Sequence, residues 1–155
     1  MNEHFLEVIR SLEPSFQRLL AMAPVTPVTL PQSMPKSGIY LLSENDRHLY
    51  VGRTRDIRGR IARHSSPGAT HRMAAFAFRL AREATGNLAA TYKKQGSRAD
   101  LMRNSSFRLA FDEAKKRIRA MDLRFVEEID PVRQAILEIY VAMSLQTPYN
   151  DFDTH

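Results

Sequence analysis

Two short runs, GIYLLS (residues 38–43) and HLYVGRT (48–54), flank the polar stretch Glu44-Asn45-Asp46-Arg47. Both are rich in β-branched and aromatic residues and bounded by turn formers, so the segment predicts an antiparallel hairpin. Side chains two apart on a strand share a face, which groups Tyr40 with Gly38 and Tyr50 with Gly52. Glycine inside a strand clears room for a close approach by backbone or ligand. In the register that the loop implies, both phenols sit on one surface with glycines beside them.

The neighbouring segments are helical. Asp56 precedes a pattern over 57–65, which stops at Ser65-Ser66-Pro67-Gly68. On that helix Arg60 and His64 are four apart and share a face, and Arg53 lies at the end of the preceding strand. Further helical patterns cover about 71–84, ending at Gly86, and about 100 or 107 to 120. DLRFVEE (122–128) alternates like a strand. Asp130-Pro131 then supplies a cap and a first-turn proline for an apolar helix that closes at Thr147-Pro148.

Upstream, Phe5, Ile9, Leu12, Phe16, Leu19 and Leu20 form an amphipathic stripe over 3–22, with Pro14 expected to kink or restart the helix. Four prolines in 24–35 mark an extended connector. The predicted class is α+β: a small three-stranded sheet flanked by helices. Residues 1–36 form a helical extension and connector, 37–150 the main domain with a helical basic insertion at about 66–120, and 151–155 an acidic tail.

Charge narrows the function. The chain of 155 residues carries a net +6, and residues 72–119 hold twelve basic against four acidic side chains. Residues 120–155 hold two against seven. The middle of the chain is therefore the part suited to a polyanion. Its cations, Lys93, Lys94 and Lys115 among them, are candidate phosphate contacts that position nucleic acid without reading sequence. With no cysteine, disulfides, thiolate metal sites and a cysteine nucleophile are excluded. No apolar run approaches membrane-spanning length, and the first residues lack the pattern of a secretion signal, so a cytoplasmic location is the default.

Gly38-Ile39-Tyr40 and Tyr50-Val51-Gly52 together resemble the two defining motifs of the GIY-YIG endonucleases, with a conservative valine in the second. Arg60 stands ten residues after Tyr50, where the family has its arginine, and His64 four residues later, where histidine or tyrosine is common. Glu138, flanked by Leu137 and Ile139, takes the place of the family's metal-binding glutamate. Asn150 ends a form of the family's closing segment, LQTPYN. The resemblance covers about 37–64 and 122–150.

This resemblance implies metal-dependent hydrolysis of phosphodiester bonds. Glu138 would hold one Mg²⁺, with Mn²⁺ as a substitute, since Mg²⁺ keeps most of its waters and needs one or two carboxylates. Arg60 would clamp the scissile phosphate through its forked donors, with Arg53 as a second phosphate contact. A phenol, with an ordinary pKa of about 10, needs nearby cations to act as a base at neutral pH. Tyr40 is the favoured base, with Tyr50 or His64 orienting the water or relaying a proton and Asn150 orienting the site. The implied partner is nucleic acid, DNA before RNA, with no membrane. One site per chain cuts one strand per event, so a double-strand break calls for a homodimer or two binding events. The alternatives are a catalytically inactive nucleic-acid-binding module of the same fold and a basic protein-interaction domain.

Overall fold

The computed structural model describes residues 1–86 and 97–152. Of the candidate cations, Lys93 and Lys94 lie outside the described residues, as does the end of the acidic tail from 153 onward. The elements are α1 (Glu3–Ala21), β1 (Gly38–Glu44), β2 (Arg47–Thr54), α2 (Ile57–Ser65), α3 (Ala75–Thr85), α4 (Arg98–Arg103), α5 (Ser105–Arg119), β3 (Asp122–Glu127) and α6 (Pro131–Leu145). They divide into two compact units: Met1–Arg58 with Met121–His155, and Gly59–Ala120. Among the described residues no helix is long and apolar enough to cross a membrane.

The first unit holds an antiparallel sheet in the order β2-β1-β3. The hairpin is tighter than its four polar residues suggest. Strand pairing continues to Glu44↔Arg47, leaving a two-residue turn in which Asn45 and Asp46 have φ of 52° and 63°. Two consecutive positive φ values are the mark of a turn whose twist matches that of paired strands, and Asn and Asp tolerate them best after glycine.

One face of the sheet presents Ile39, Leu41, Val51 and Val126, which form a core with Leu12, Phe16 and Leu19 of α1 and Leu137, Val141 and Ala142 of α6. The N-terminal helix is thus part of this core rather than an appendage. Its buried side differs from the expected stripe: Val8 and Ser15 are buried, whereas Phe5 and Ile9 are 43% and 39% exposed. Pro14 neither ends nor restarts α1. It lies on the exposed side, as does Arg10, the residue whose carbonyl loses a helical donor, so water can satisfy that carbonyl. The Tyr140 hydroxyl donates to Glu13 Oε2, and the Tyr140 ring meets Phe16 edge-on at 5.5 Å, tying α6 to α1.

The proline-rich connector is held by backbone bonds. Val25 exchanges two with Leu123 of β3 (3.0 and 2.7 Å), and the Lys36 carbonyl accepts from Ile57 at the start of α2 (2.8 Å). Arg58 donates to the Pro31 carbonyl at 2.6 Å. Asp130 caps α6 through the Arg133 amide at 2.8 Å, with Pro131 in the first turn.

The second unit is helical. The helix expected from about 71 begins at Ala75 and ends on left-handed Gly86. The segment before Ala120 is two helices rather than one, broken at Asn104, whose side chain caps α5 through the Phe107 amide at 3.0 Å. Phe78, Phe107, Phe111 and Ile118 fill the interior of this unit.

Candidate active site

Gly52 is the pivot of the constellation in the sheet unit. Tyr40 pairs with Gly52 across the strands, and Tyr50 with Leu42, so both tyrosines and Gly52 share the face opposite the α1–α6 core. A Cβ built on Gly52 would fall 2.3 Å from both Cζ and Oη of Tyr40. The Tyr40 ring therefore occupies the space that any larger residue would need. Tyr50 lies beside it, with ring centroids 6.2 Å apart and the planes tilted by 46°. Both phenols share one surface with the glycines, as expected, and the close contact of Gly52 is with the tyrosine of the other strand, which only the register reveals. Gly38 has a separate reason: a Cβ there would lie 2.0 Å from the Val126 carbonyl oxygen, so β1 and β3 could not approach as they do.

Glu138 of α6 lies beside Arg53, the residue after Gly52. The Arg53 backbone amide lies near enough to the Glu138 carboxylate to favour its charged form. Arg53 Nε lies 4.0 Å from Glu138 Oε1, a long and half-exposed ion pair. Burial pushes the Glu138 pKa above the ordinary carboxylate value, and the Arg53 charge and amide oppose that shift. Tyr40 and Glu138 are thus engaged by consecutive residues of β2, the phenol by Gly52 and the carboxylate by Arg53.

Asn150 acts along the outer edge of β2. Its Oδ1 accepts from the Val51 amide at 2.9 Å and from Thr147 Oγ1 at 2.7 Å, while its Nδ2 donates to the Val51 carbonyl at 2.7 Å. The Tyr149 amide donates to the Leu49 carbonyl at 3.2 Å. The amide side chain fixes the residue between Tyr50 and Gly52, which is a positioning role.

Gln134, not singled out from the sequence, does comparable work on α6. It is 2% exposed, and its Nε2 donates to Ser37 Oγ at 3.0 Å, to the Thr54 carbonyl at 3.5 Å and to the Glu128 carbonyl. It lies one turn before Glu138 and holds the helix to the ends of β2 and β3. A polar residue one turn from a lone carboxylate, on an otherwise apolar helix, is the signal that could have found it.

Arg60 and His64 belong to the second unit. His64 is 1% exposed and meets Phe76 edge-on at 6.4 Å. Burial, then the Arg60 charge one turn away, lowers its pKa to about 3, so it is neutral at physiological pH. Lys115, a candidate phosphate contact, is instead buried at 3% exposure, donating to the carbonyls of Pro67 (2.7 Å) and Ala69 (3.0 Å). Arg119 likewise donates to the Ser65 carbonyl.

Among the described residues no group of three or more acidic or histidine side chains gathers as a ready metal cage. One half-buried carboxylate is still a donor set that suits a cation retaining its own waters. A family model described as the GIY-YIG catalytic domain matches residues 36–150. No curated protein and no solved structure matches the chain.

Proposed function

Because the chain belongs to the GIY-YIG family, a family of nucleases, we propose that it is a divalent-metal-dependent DNA endonuclease that hydrolyses phosphodiester bonds. The observation that supports this reading is that consecutive residues of β2 engage the two candidates, Gly52 the Tyr40 phenol and Arg53 the Glu138 carboxylate. Glu138 would hold the cation, Mg²⁺ or Mn²⁺, as its sole protein carboxylate. When bound, such a cation neutralises charge developing on the phosphate oxygens. Tyr40 positions the attacking water and accepts its proton, and Tyr50, packed beside it, holds the phenol in place. Arg53 lowers the cost of ionising the half-buried Glu138 and offers a cation to substrate phosphate. The clamp on the scissile phosphate is assigned to Arg60 on the family motif alone. His64, buried and neutral, supports α2 rather than carrying protons to solvent. Asn150 keeps β2, and with it Tyr50 and Gly52, in position.

The test is cleavage of plasmid, linear duplex and single-stranded DNA with Mg²⁺ or with chelator. Metal-dependent nicking by the wild type is expected. Tyr40→Phe should slow it by on the order of 10²–10⁴-fold, the range for removing a general base, and Glu138→Gln should abolish its metal dependence together with most of the cleavage, while DNA binding persists in both. No cleavage of any substrate, with binding intact, would move the chain to the non-catalytic binding module. Variants that cut like the wild type would overturn the site.

A further inference from the structure

The cations of the second unit fall into two groups. Lys115 and Arg119 are engaged with backbone carbonyls and belong to the architecture. Another set lies on and near α3. Arg98, at the start of α4, lies with its guanidinium carbon 5.2 Å from the Phe78 ring centroid, and the His71 ring is 6.3 Å from the same ring. Arg82 is one turn beyond Phe78 and therefore shares its face, Arg79 adjoins Phe78 in the chain, and Arg72 adjoins His71. Arg98 and His71 thus meet one aromatic ring, and Arg72, Arg79 and Arg82 are near enough for their charges to act within the same group. The helices α3 and α4 offer only Glu83 and Asp100 as carboxylates against them.

We infer that Arg72, Arg79, Arg82 and Arg98, with His71, form a binding site for the phosphate backbone of nucleic acid. The inference rests on the nucleic-acid reading above, and adds to it which of the second unit's cations touch the ligand. Mutual repulsion supports it. Burial and the charges of Arg98 and Arg79 lower the Arg82 pKa, and burial with Arg72 and Arg98 lowers that of His71. Guanidinium forks match phosphate oxygens. Arg72 and Arg98 are exposed and accessible to a long polyanion. Contacts of this kind hold the duplex without reading its sequence.

The test uses the full chain with duplex DNA and chelator, so that binding is measured without cutting. The slope of log affinity against log salt counts phosphate contacts, at about 0.9 per contact. The double variant Arg72→Gln/Arg98→Gln should flatten the slope by about 1–2 and weaken binding on the order of tenfold. Arg108→Gln/Lys116→Gln removes the same charge from exposed positions of α5 and should have a clearly smaller effect. Arg72→Lys/Arg98→Lys, which keeps the charge, should restore most of the slope, separating ligand contact from misfolding. Inorganic pyrophosphate serves as the competing probe, and weak competition is expected if several backbone phosphates are held together. Equal losses in the two double variants, a flat wild-type slope, or displacement of duplex by micromolar pyrophosphate would overturn the inference. Cleavage by the wild type with no role for the cluster sinks this inference alone. Cluster-dependent binding without cleavage sinks the nuclease reading alone.

Discussion

The unit built on the sheet carries nine basic and thirteen acidic side chains, whereas the helical unit of residues 59–120 carries fourteen against four. The sheet unit sets single groups against single residues: one phenol against one glycine, one carboxylate against one arginine. The helical unit holds charge in quantity and sorts it, some cations turned inward to carbonyls and others gathered on and near α3. Chemistry at one bond needs the first arrangement, and holding a long polyanion needs the second. A positive total therefore says little about where catalysis lies; the unit with the candidate carboxylate has a net charge of −4.

Acid provides the largest separation of the two units. His64 has a pKa of about 3 when folded, against about 6.5 when unfolded, so the unfolded chain binds the extra proton between those values. Stability of the helical unit is therefore full above about pH 6.5 and falls as pH drops toward 3, by on the order of 5 kcal/mol in total. Hydrogen exchange of α3 and α5 amides across this range should show the loss ahead of that in β1 and α6, and His64→Gln should flatten it. Simultaneous loss in both units would erase the contrast.

A smaller effect, confined to the sheet unit, is expected from Gly52→Ala. The added methyl collides with Tyr40, and overpacking of this kind costs about 1–3 kcal/mol. Displacing the phenol by even an ångström should lower cleavage about 100-fold. A melting curve with parallel kinetics checks both; wild-type activity in the variant would mean that Tyr40 is not held for chemistry. The smallest effect belongs to Lys115→Met, which leaves the Pro67 and Ala69 carbonyls without their ammonium donor. It should cost about 1–3 kcal/mol and leave the salt slope of DNA binding unchanged. A flatter slope would return Lys115 to the phosphate contacts and blur the division of cations argued above.

How much of this was legible depends on whether the signal is local. The hairpin, α2, β3 and the capped start of α6 follow from short-range alternation and turn chemistry, and the structure has them. Both motif glycines are needed for close approach, as a strand glycine suggests, but the partner of Gly52 is a residue of the other strand. That fact lives in the register, beyond any same-strand spacing rule. In α1 the apolar residues allow two overlapping stripes, and docking against the sheet selects the one with Val8 and Ser15 over the one with Phe5 and Ile9. Lys115 stands in a run of like charges, Lys115-Lys116-Arg117, and only the carbonyls of a distant turn distinguish it. The roles proposed for Tyr40, Arg60 and Glu138 come from residue type and family spacing, and await the cleavage assay.

The side-chain amide of Asn150 and the bridge from Val25 have a consequence for assembly. In a sheet of order β2-β1-β3 the outer strands present unpaired backbone groups that invite a foreign strand. Asn150 occupies both groups of Val51 on one border, and Val25 occupies both groups of Leu123 on the other. The β2 border is plugged near its middle and the β3 border near its start, each by a few atoms rather than by a further strand. Open-ended polymerisation by strand addition is blocked there, and a second copy seeking contact has to use some other surface.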